Sequence, residues 1–148
     1  MQDLADLYQA VILDHNRRPR NFSEMENPDH LAVGDNPVCG DHYTVFLRMD
    51  GDRIAEATFH GAGCAISKAS ASVMTSMLKG KTVEEAKELY EHFHHLVTSG
   101  EVDEDYLSDL SAFAGVHQFP ARIKCATLSW HAALNAAKGS EDDRVTTE

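Results

Sequence analysis

Two runs of alternating positions stand back to back in this chain, and the rest of the pattern is arranged around them. Tyr43, Val45, Leu47 and Met49 alternate with Thr44, Phe46 and Arg48; after Asp50-Gly51-Asp52, a second run from Arg53 to His60 alternates through Ala55, Ala57 and Phe59. Period-two patterning on either side of an Asp-Gly pair predicts a β-hairpin. Elsewhere the period is that of a helix. Leu4, Leu7, Tyr8, Val11 and Ile12 mark an amphipathic helix from Asp3 to His15, ended by the cations and proline of His15 to Arg20. Ala65 to Leu78, rich in Ala, Ser and Met, reads as a helix stopped by Lys79-Gly80. Thr82-Val83-Glu84-Glu85 has the form of a capping box, and Val83, Ala86, Leu89, Tyr90, Phe93, Leu96 and Val97 continue a stripe as far as Gly100. The acidic stretch from Glu101 to Asp109 leads through Leu107, Leu110 and Phe113 into a short helix and turn at Gly115-Val116. Pro120 suits a first helical position and opens a long helix that Gly139 ends.

Two segments lack sustained periodicity. Asn21 to Pro37 contains Asn27-Pro28, Gly34-Asp35 and Asn36-Pro37, and reads as mostly loop or a short edge strand. Ser140 to Glu148 is polar and acidic, so 140–148 is expected to be a flexible tail. With no internal repeat and no linker, residues 1–139 are expected to form a single domain. The predicted class is α+β: a small antiparallel sheet built on the hairpin, helices packed on one side, and a site exposed at one end.

The 148 residues are one domain's worth of chain, long enough to bury a core without disulfides or metal. A net charge of −11 argues against a general nucleic-acid or anionic-membrane surface and favours proteins or small molecules as partners. No apolar run approaches the ~18 residues needed to span a bilayer, and Met1-Gln2-Asp3-Leu4 lacks a basic-then-apolar leader pattern, so a cytoplasmic protein is expected. Three cysteines in a reducing compartment form no disulfide framework. Each is a buried thiol, a metal ligand or a nucleophile.

Cys39 lies in Pro37-Val38-Cys39-Gly40-Asp41 just before the hairpin, and Cys64 follows Gly61-Ala62-Gly63 just after it. A hairpin returns its two ends to one place, so Cys39, Asp41 and Cys64 can be neighbours. The adjacent glycines allow another group to approach the thiols closely. Position at a helix start favours a thiolate at Cys64, and Arg122 and Lys124 do so at Cys125. Three thiolates and one carboxylate would complete a tetrahedral zinc site. Against this, the three cysteines match no zinc-finger spacing, and structural thiols or a single nucleophile stand as alternatives.

Four segments in order carry a specific likeness: Val11-Ile12-Leu13-Asp14-His15 with Pro19-Arg20-Asn21; Asn36-Pro37-Val38-Cys39-Gly40-Asp41; Gly61-Ala62-Gly63-Cys64-Ala65-Ile66-Ser67 with Ala69-Ser70-Ala71-Ser72; and Phe119-Pro120-Ala121-Arg122-Ile123-Lys124-Cys125-Ala126-Thr127-Leu128. From Tyr8 through Ala137 the chain resembles the U-type iron-sulfur scaffold family, the IscU/NifU N-terminal-like proteins. An extra segment around Tyr106 to Val116, and Lys124 where IscU-like proteins have histidine, place it nearer the SufU branch.

The resemblance implies zinc held by Cys39, Asp41, Cys64 and Cys125, with Arg122 or Lys124 offsetting the surplus negative charge. It implies sulfur acceptance from a SufS-type cysteine desulfurase, a partner side chain displacing Cys39 from the metal so that Cys39 takes the sulfur, and onward supply to downstream iron-sulfur assembly proteins. The alternatives are a scaffold carrying a labile [2Fe-2S] cluster and an adaptor that zinc merely staples. Whether such a protein counts as an enzyme or as a sulfurtransferase-like partner of one is left open.

Other features have plainer readings. His92, His94 and His95 sit on an ordinary amphipathic helix, and Met74 and Met77 read as core filling. Ser67, Ser70 and Ser72 lack a nucleophile-elbow pattern and read as small helix-packing residues. His15, Arg17, Arg18 and Arg20 form a dense positive patch; cations at a helix end explain one or two of them, and a docking surface accounts for the rest.

Overall fold

The computed structural model describes residues 4–103, 108–139 and 144–146, with side chains described from Gln9 to Gly139 outside 104–107. Strands β1 (His30–Asn36), β2 (Asp41–Asp50) and β3 (Arg53–Ala62) and helices α1 (Leu4–Arg17), α2 (Ala65–Leu78), α3 (Val83–Ser99) and α4 (Pro120–Ala137) make up most of it. A 3₁₀ segment, Asp109–Gln118, precedes α4. The sheet order is β3-β2-β1-β4, the last being Arg144–Thr146.

The hairpin turns at Gly51-Asp52, and β2 pairs with β3 antiparallel from Asp50↔Arg53 to His42↔Ala62. Tyr43, Val45 and Leu47 point into the core as the alternation predicts, as do Ala57 and Phe59. Ala55 does not. A register shift between Arg48 and Met49 leaves Ala55 without a partner, and beyond this bulge Ile54 takes the buried phase. The stretch read as loop or edge strand contributes β1, which pairs with β2 over seven residues and lies inside the sheet. Only small or polar residues, Ala32, Gly34 and Asn36, occupy its buried phase, which is why its sequence carries no strand signal. The segment expected to fray supplies β4, parallel to Val33, Gly34 and Asp35 of β1. The rest of 140–148 lies outside the described residues, as do the positions from 104 to 107 in the extra acidic segment.

Helices α2 and α4 cover one face of the sheet, α2 against β3 and α4 against β1 and β2, with α1 and α3 outside them. Small residues let α2 and α4 approach: Ser70 Oγ donates to the Ala126 carbonyl at 2.6 Å and accepts from Trp130 Nε1 at 3.1 Å. This pins together the two helices that carry Cys64 and Cys125. Trp130 stacks on Phe93 at 4.8 Å, and Phe93 meets Phe113 edge-on, closing the core against α3 and the 3₁₀ segment. The capping box at Thr82–Glu85 forms as expected.

His15 leaves the positive patch that the sequence suggested. It is 4% exposed, with Nδ1 2.8 Å from Ser72 Oγ and Nε2 2.9 Å from Asp109 Oδ2. The two ring nitrogens meet both partners at once, so the residue ties α1 to α2 and to the 3₁₀ segment.

Candidate metal centre

Both hairpin ends and the start of α4 meet at one end of the sheet. Asn36 closes β1 and is itself buried; its Oδ1 accepts from Cys39 N at 3.3 Å and its carbonyl from Gly40 N at 2.9 Å. Gly40 then takes φ +76°, a left-handed conformation in which alanine would be strained, and turns the chain into β2. This local hydrogen bonding seats Cys39 directly above Asp41.

The donor atoms of Cys39, Asp41 and Cys125 lie within 4.8 Å of one another. Cys125 Sγ donates to Cys39 Sγ at 3.1 Å. Cys125 is fully buried in the first turns of α4 and Asp41 is 2% exposed, while Cys39 and Cys64 are half-buried. The centre is therefore recessed at the end of the sheet, where the sequence reading had it exposed.

Cys64, expected in one ligand set with Cys39, Asp41 and Cys125, joins the other three through the carboxylate. Its backbone N donates to Asp41 Oδ1 at 2.8 Å and its Sγ lies 3.8 Å from Asp41 Oδ2, but the thiol stands outside the mutually close group. It serves as the N-cap of α2, accepting from Ser67 N at 3.5 Å. Gly63 makes this junction possible. A Cβ there would come within 2.5 Å of Asp41 Oδ1, 2.7 Å of Ser67 Oγ and 2.9 Å of Tyr43 Cε2.

Electrostatics show what the pocket lacks. Burial pushes the Cys125 thiol up, reinforced by its contacts with Cys39 and Asp41 and by the charge of Cys64. Tyr43 beneath is pushed up to about 12, by burial first and then by the charges of Asp41, Cys64 and Cys125, with the bond to Ser67 opposing. Acidic groups that oppose one another's ionisation in a recess are what a dication would relieve. Two thiolates each ~2.3 Å from one zinc ion at the tetrahedral angle stand about 3.8 Å apart, within the spread of this donor group. A soft divalent metal thus fits the residues present.

The other sequence candidates divide. Arg122, exposed on α4, has its guanidinium held further protonated by the negative charge of Cys64 and Cys125. Lys124 lines a cavity of about 210 Å³ beside Cys39, with Val38, Pro120 and Ala121. Arg17, Arg18 and Arg20 are exposed at the end of α1, where Arg20 is paired with Asp14 at 2.7 Å. Sequence reasoning missed Asn36, Ser67 and Tyr43. Asn36 had been read only as a turn former, and Ser67 only as a packing residue, though the spacing Cys64 to Ser67 is that of a cap and its third helical residue.

This is a small α+β fold in which a β-hairpin and two helix starts gather thiols and a carboxylate. The chain belongs to the family of the NifU-like N-terminal domain, which matches residues 7–126. It is 45% identical over 132 residues to the zinc-dependent sulfurtransferase SufU of Bacillus subtilis (strain 168), covering 88% of each chain. It is 37% identical over 149 aligned positions to the iron-sulfur cluster assembly scaffold protein IscU of Streptococcus pyogenes serotype M1, covering all of this chain and 93% of the relative. Among solved structures it matches an iron-sulfur cluster assembly scaffold protein for the SUF system from Fervidobacterium islandicum AW-1, with a TM-score of 0.79 and 32% identity over 93% of this chain and 98% of that one. The resemblance read from the four segments is borne out, as is the α+β class. Among the described residues no helix is long and apolar enough to cross a membrane.

Proposed function

We propose that this protein is a zinc-dependent sulfur acceptor and transfer protein of iron-sulfur cluster biogenesis, taking persulfide sulfur from a SufS-type cysteine desulfurase in the cytoplasm and supplying downstream assembly proteins. The observation that carries this is the convergence of Cys39, Asp41 and Cys125 in one recess, with Cys64 bound to the same carboxylate. The 45% identity to a zinc-dependent sulfurtransferase supports it. Cys39, Asp41, Cys64 and Cys125 would hold the zinc, which when bound keeps its thiol ligands deprotonated near neutral pH.

The chain's own residues divide the remaining work. Cys125 is fixed in a helix and fully buried, and Cys64 is held by the Ser67 backbone. Cys39 is the thiol on a turn, beside an open cavity, and it is the acceptor. Its thiolate attacks the outer sulfur of the partner's persulfide; a new S–S bond forms at Cys39 Sγ, the partner's S–S bond breaks, and the electron pair leaves on the partner's cysteine sulfur. No external oxidant or reductant enters. Arg122 places positive charge where the thiolates concentrate negative charge.

Elemental analysis after chelator-free purification should find one zinc per chain, and peptide mass spectrometry after incubation with desulfurase and cysteine should find the added sulfur on Cys39. Cys39→Ser should keep part of its zinc yet accept no sulfur; Cys64→Ser and Cys125→Ser should lose zinc and thermal stability together. Label on Cys125, or full transfer by metal-free protein, would refute the assignment. The likeness to a scaffold IscU favours a second reading in which the same residues hold a [2Fe-2S] cluster, and a visible chromophore in anaerobically purified protein would select it.

A further inference from the structure

Four large apolar side chains remain exposed among the described residues, and three of them gather around the thiols: Leu13 (38%), Val38 (79%) and Phe119 (60%). Val38 flanks the small cavity beside Cys39. Leu13 and Phe119 flank a larger one, about 710 Å³, enclosed by α1, the first turn of α2, the 3₁₀ segment and the start of α4. Its walls are mainly apolar, including Ile12, Ile66 and Val102, with Gln9, His117, Gln118 and the cation Arg122 as polar points. Ile66 stands two residues after Cys64, and Arg122, three residues before Cys125, lines the cavity. Pro120 and Ala121 line the small cavity while Phe119 and Arg122, on either side of them in the chain, line the large one, so the two adjoin at the start of α4. Exposed apolar surface gathered in one place marks an interaction site, whereas scattered single residues do not.

We infer that the 710 Å³ cavity is the socket for an apolar segment, flanked by carboxylates, of the sulfur-donating partner, so that one contact covers socket and thiols together. The inference rests on the function proposed above and adds the anchor by which the partner is held. A space of this size falls within the roughly 300–1,000 Å³ of ordinary binding cavities and has room for several apolar side chains. The charge preference comes from Arg122 in the walls and from exposed Arg17, one turn beyond Leu13 on the same helix face. Two nearby carboxylates of this chain are already engaged, Asp109 with His15 at 2.9 Å and Glu101 with His95 at 3.3 Å. A second copy of the chain is the poorer occupant. In a two-fold contact the same patch meets itself, setting Arg122 and Arg17 against their like.

Gly115 allows a clean test. It lines the cavity in the 3₁₀ segment, and a Cβ on it would meet no atom within 4 Å, so Gly115→Trp fills the socket without disturbing the fold. Desulfurase turnover is measured against increasing concentrations of wild type, Gly115→Trp and Leu13→Asp, with zinc content, melting temperature and sedimentation followed in parallel. Both variants should keep wild-type zinc, melting temperature and maximal stimulation, while the half-saturating concentration rises about tenfold, the scale of losing one central anchor. Unchanged half-saturation in both variants, with wild type active, overturns the socket and leaves the proposed function standing. Wild type that stimulates no desulfurase overturns the function and the socket with it. A wild-type homodimer that Gly115→Trp dissolves, with desulfurase kinetics unchanged, gives the cavity to a second copy and also overturns the inference.

Discussion

Gly63→Ala adds one methyl group at the point where both hairpin ends and the start of α2 converge. Its Cβ would stand 2.5 Å from Asp41 Oδ1, 2.7 Å from Ser67 Oγ and 2.9 Å from Tyr43 Cε2, all closer than real Cβ contacts. Tyr43 and Asp41 are buried, so they cannot swing out to solvent. Relief comes by backing the strand off, an overpacking cost of roughly 1–3 kcal/mol, or by turning Asp41 and losing its 2.8 Å bond from Cys64 N. A hydrogen bond to a charged acceptor contributes roughly 1.5–3 kcal/mol. The chain takes the cheaper route, so a loss of about 2 kcal/mol is expected for metal-free protein, or roughly 4–8 °C in melting temperature for a domain of this length.

Either route moves a ligand, and zinc affinity should fall roughly 10–100-fold. Gly40→Ala is the control: its φ of +76° strains an alanine, but its Cβ meets nothing within 4 Å. It should cost about 1–2 kcal/mol of stability with a smaller effect on affinity. Competition against a chromophoric zinc chelator, paired with thermal melts of the metal-free proteins, measures both quantities. Wild-type zinc affinity in Gly63→Ala would show that Asp41 and Cys64 are not held in the register described, and would refute the reasoning.

Reversing Arg17, Arg18 and Arg20 to glutamate should slow association with the desulfurase and weaken its salt dependence while zinc content stays unchanged; unaltered kinetics would return these cations to the ordinary role of ending α1. The pH dependence of metal-free stability should be one-sided. In the folded state the Cys125 thiol is raised, by burial first and by Cys39, Asp41 and Cys64 after it, so folding favours the protonated form. Its contribution is complete below the ordinary thiol range, about pH 8.5, and is lost as pH rises above it, with Tyr43, raised to about 12, acting in the same direction above its ordinary value. Denaturant melts from pH 7 to 10 should show metal-free protein weakening, and a flat profile would refute the crowding described.

Where burial alternates with large side chains, the chain announces its own fold. The hairpin, α2, α3 and α4 are legible because Val45, Leu47, Phe59, Leu89 and Phe93 mark faces by size, and because Thr82, Pro120 and Gly139 punctuate the ends. Strand β1 is not legible. Its buried phase is Ala32, Gly34 and Asn36, small residues that let α4 sit close and that score as turn formers in isolation. The bulge that replaces Ala55 by Ile54 is equally silent, because it depends on the register with β2 and not on any residue of β3 alone.

The centre divides along the same line. Cys39, Asp41 and Cys64 are predictable neighbours because a hairpin returns its ends together, a matter of topology that sequence can carry. Cys125 enters through α4, whose position depends on Ser70 bonding Ala126 and Trp130 across the helix pair, and no local pattern encodes that contact. His15 shows the reverse error. In sequence it is one of four cations in six residues; in the fold it is the member that faces inward, because Ser72 and Asp109 hold its two ring nitrogens. Charge counted along a chain therefore overstates the patch, which in the fold comprises the exposed Arg17, Arg18 and Arg20, the last paired with Asp14. Cys64 was expected beside the metal from its place after the hairpin, and its position at the head of α2 gives its sulfur a backbone N–H that pattern alone does not reveal. That bond draws electron density from the sulfur and ties it to the helix, so Cys64 differs from the likewise half-buried Cys39 in its bonding, and Cys125 differs from both in its burial. Three otherwise identical side chains thus have unequal surroundings, and the proposed division into one acceptor and two anchors rests on that inequality.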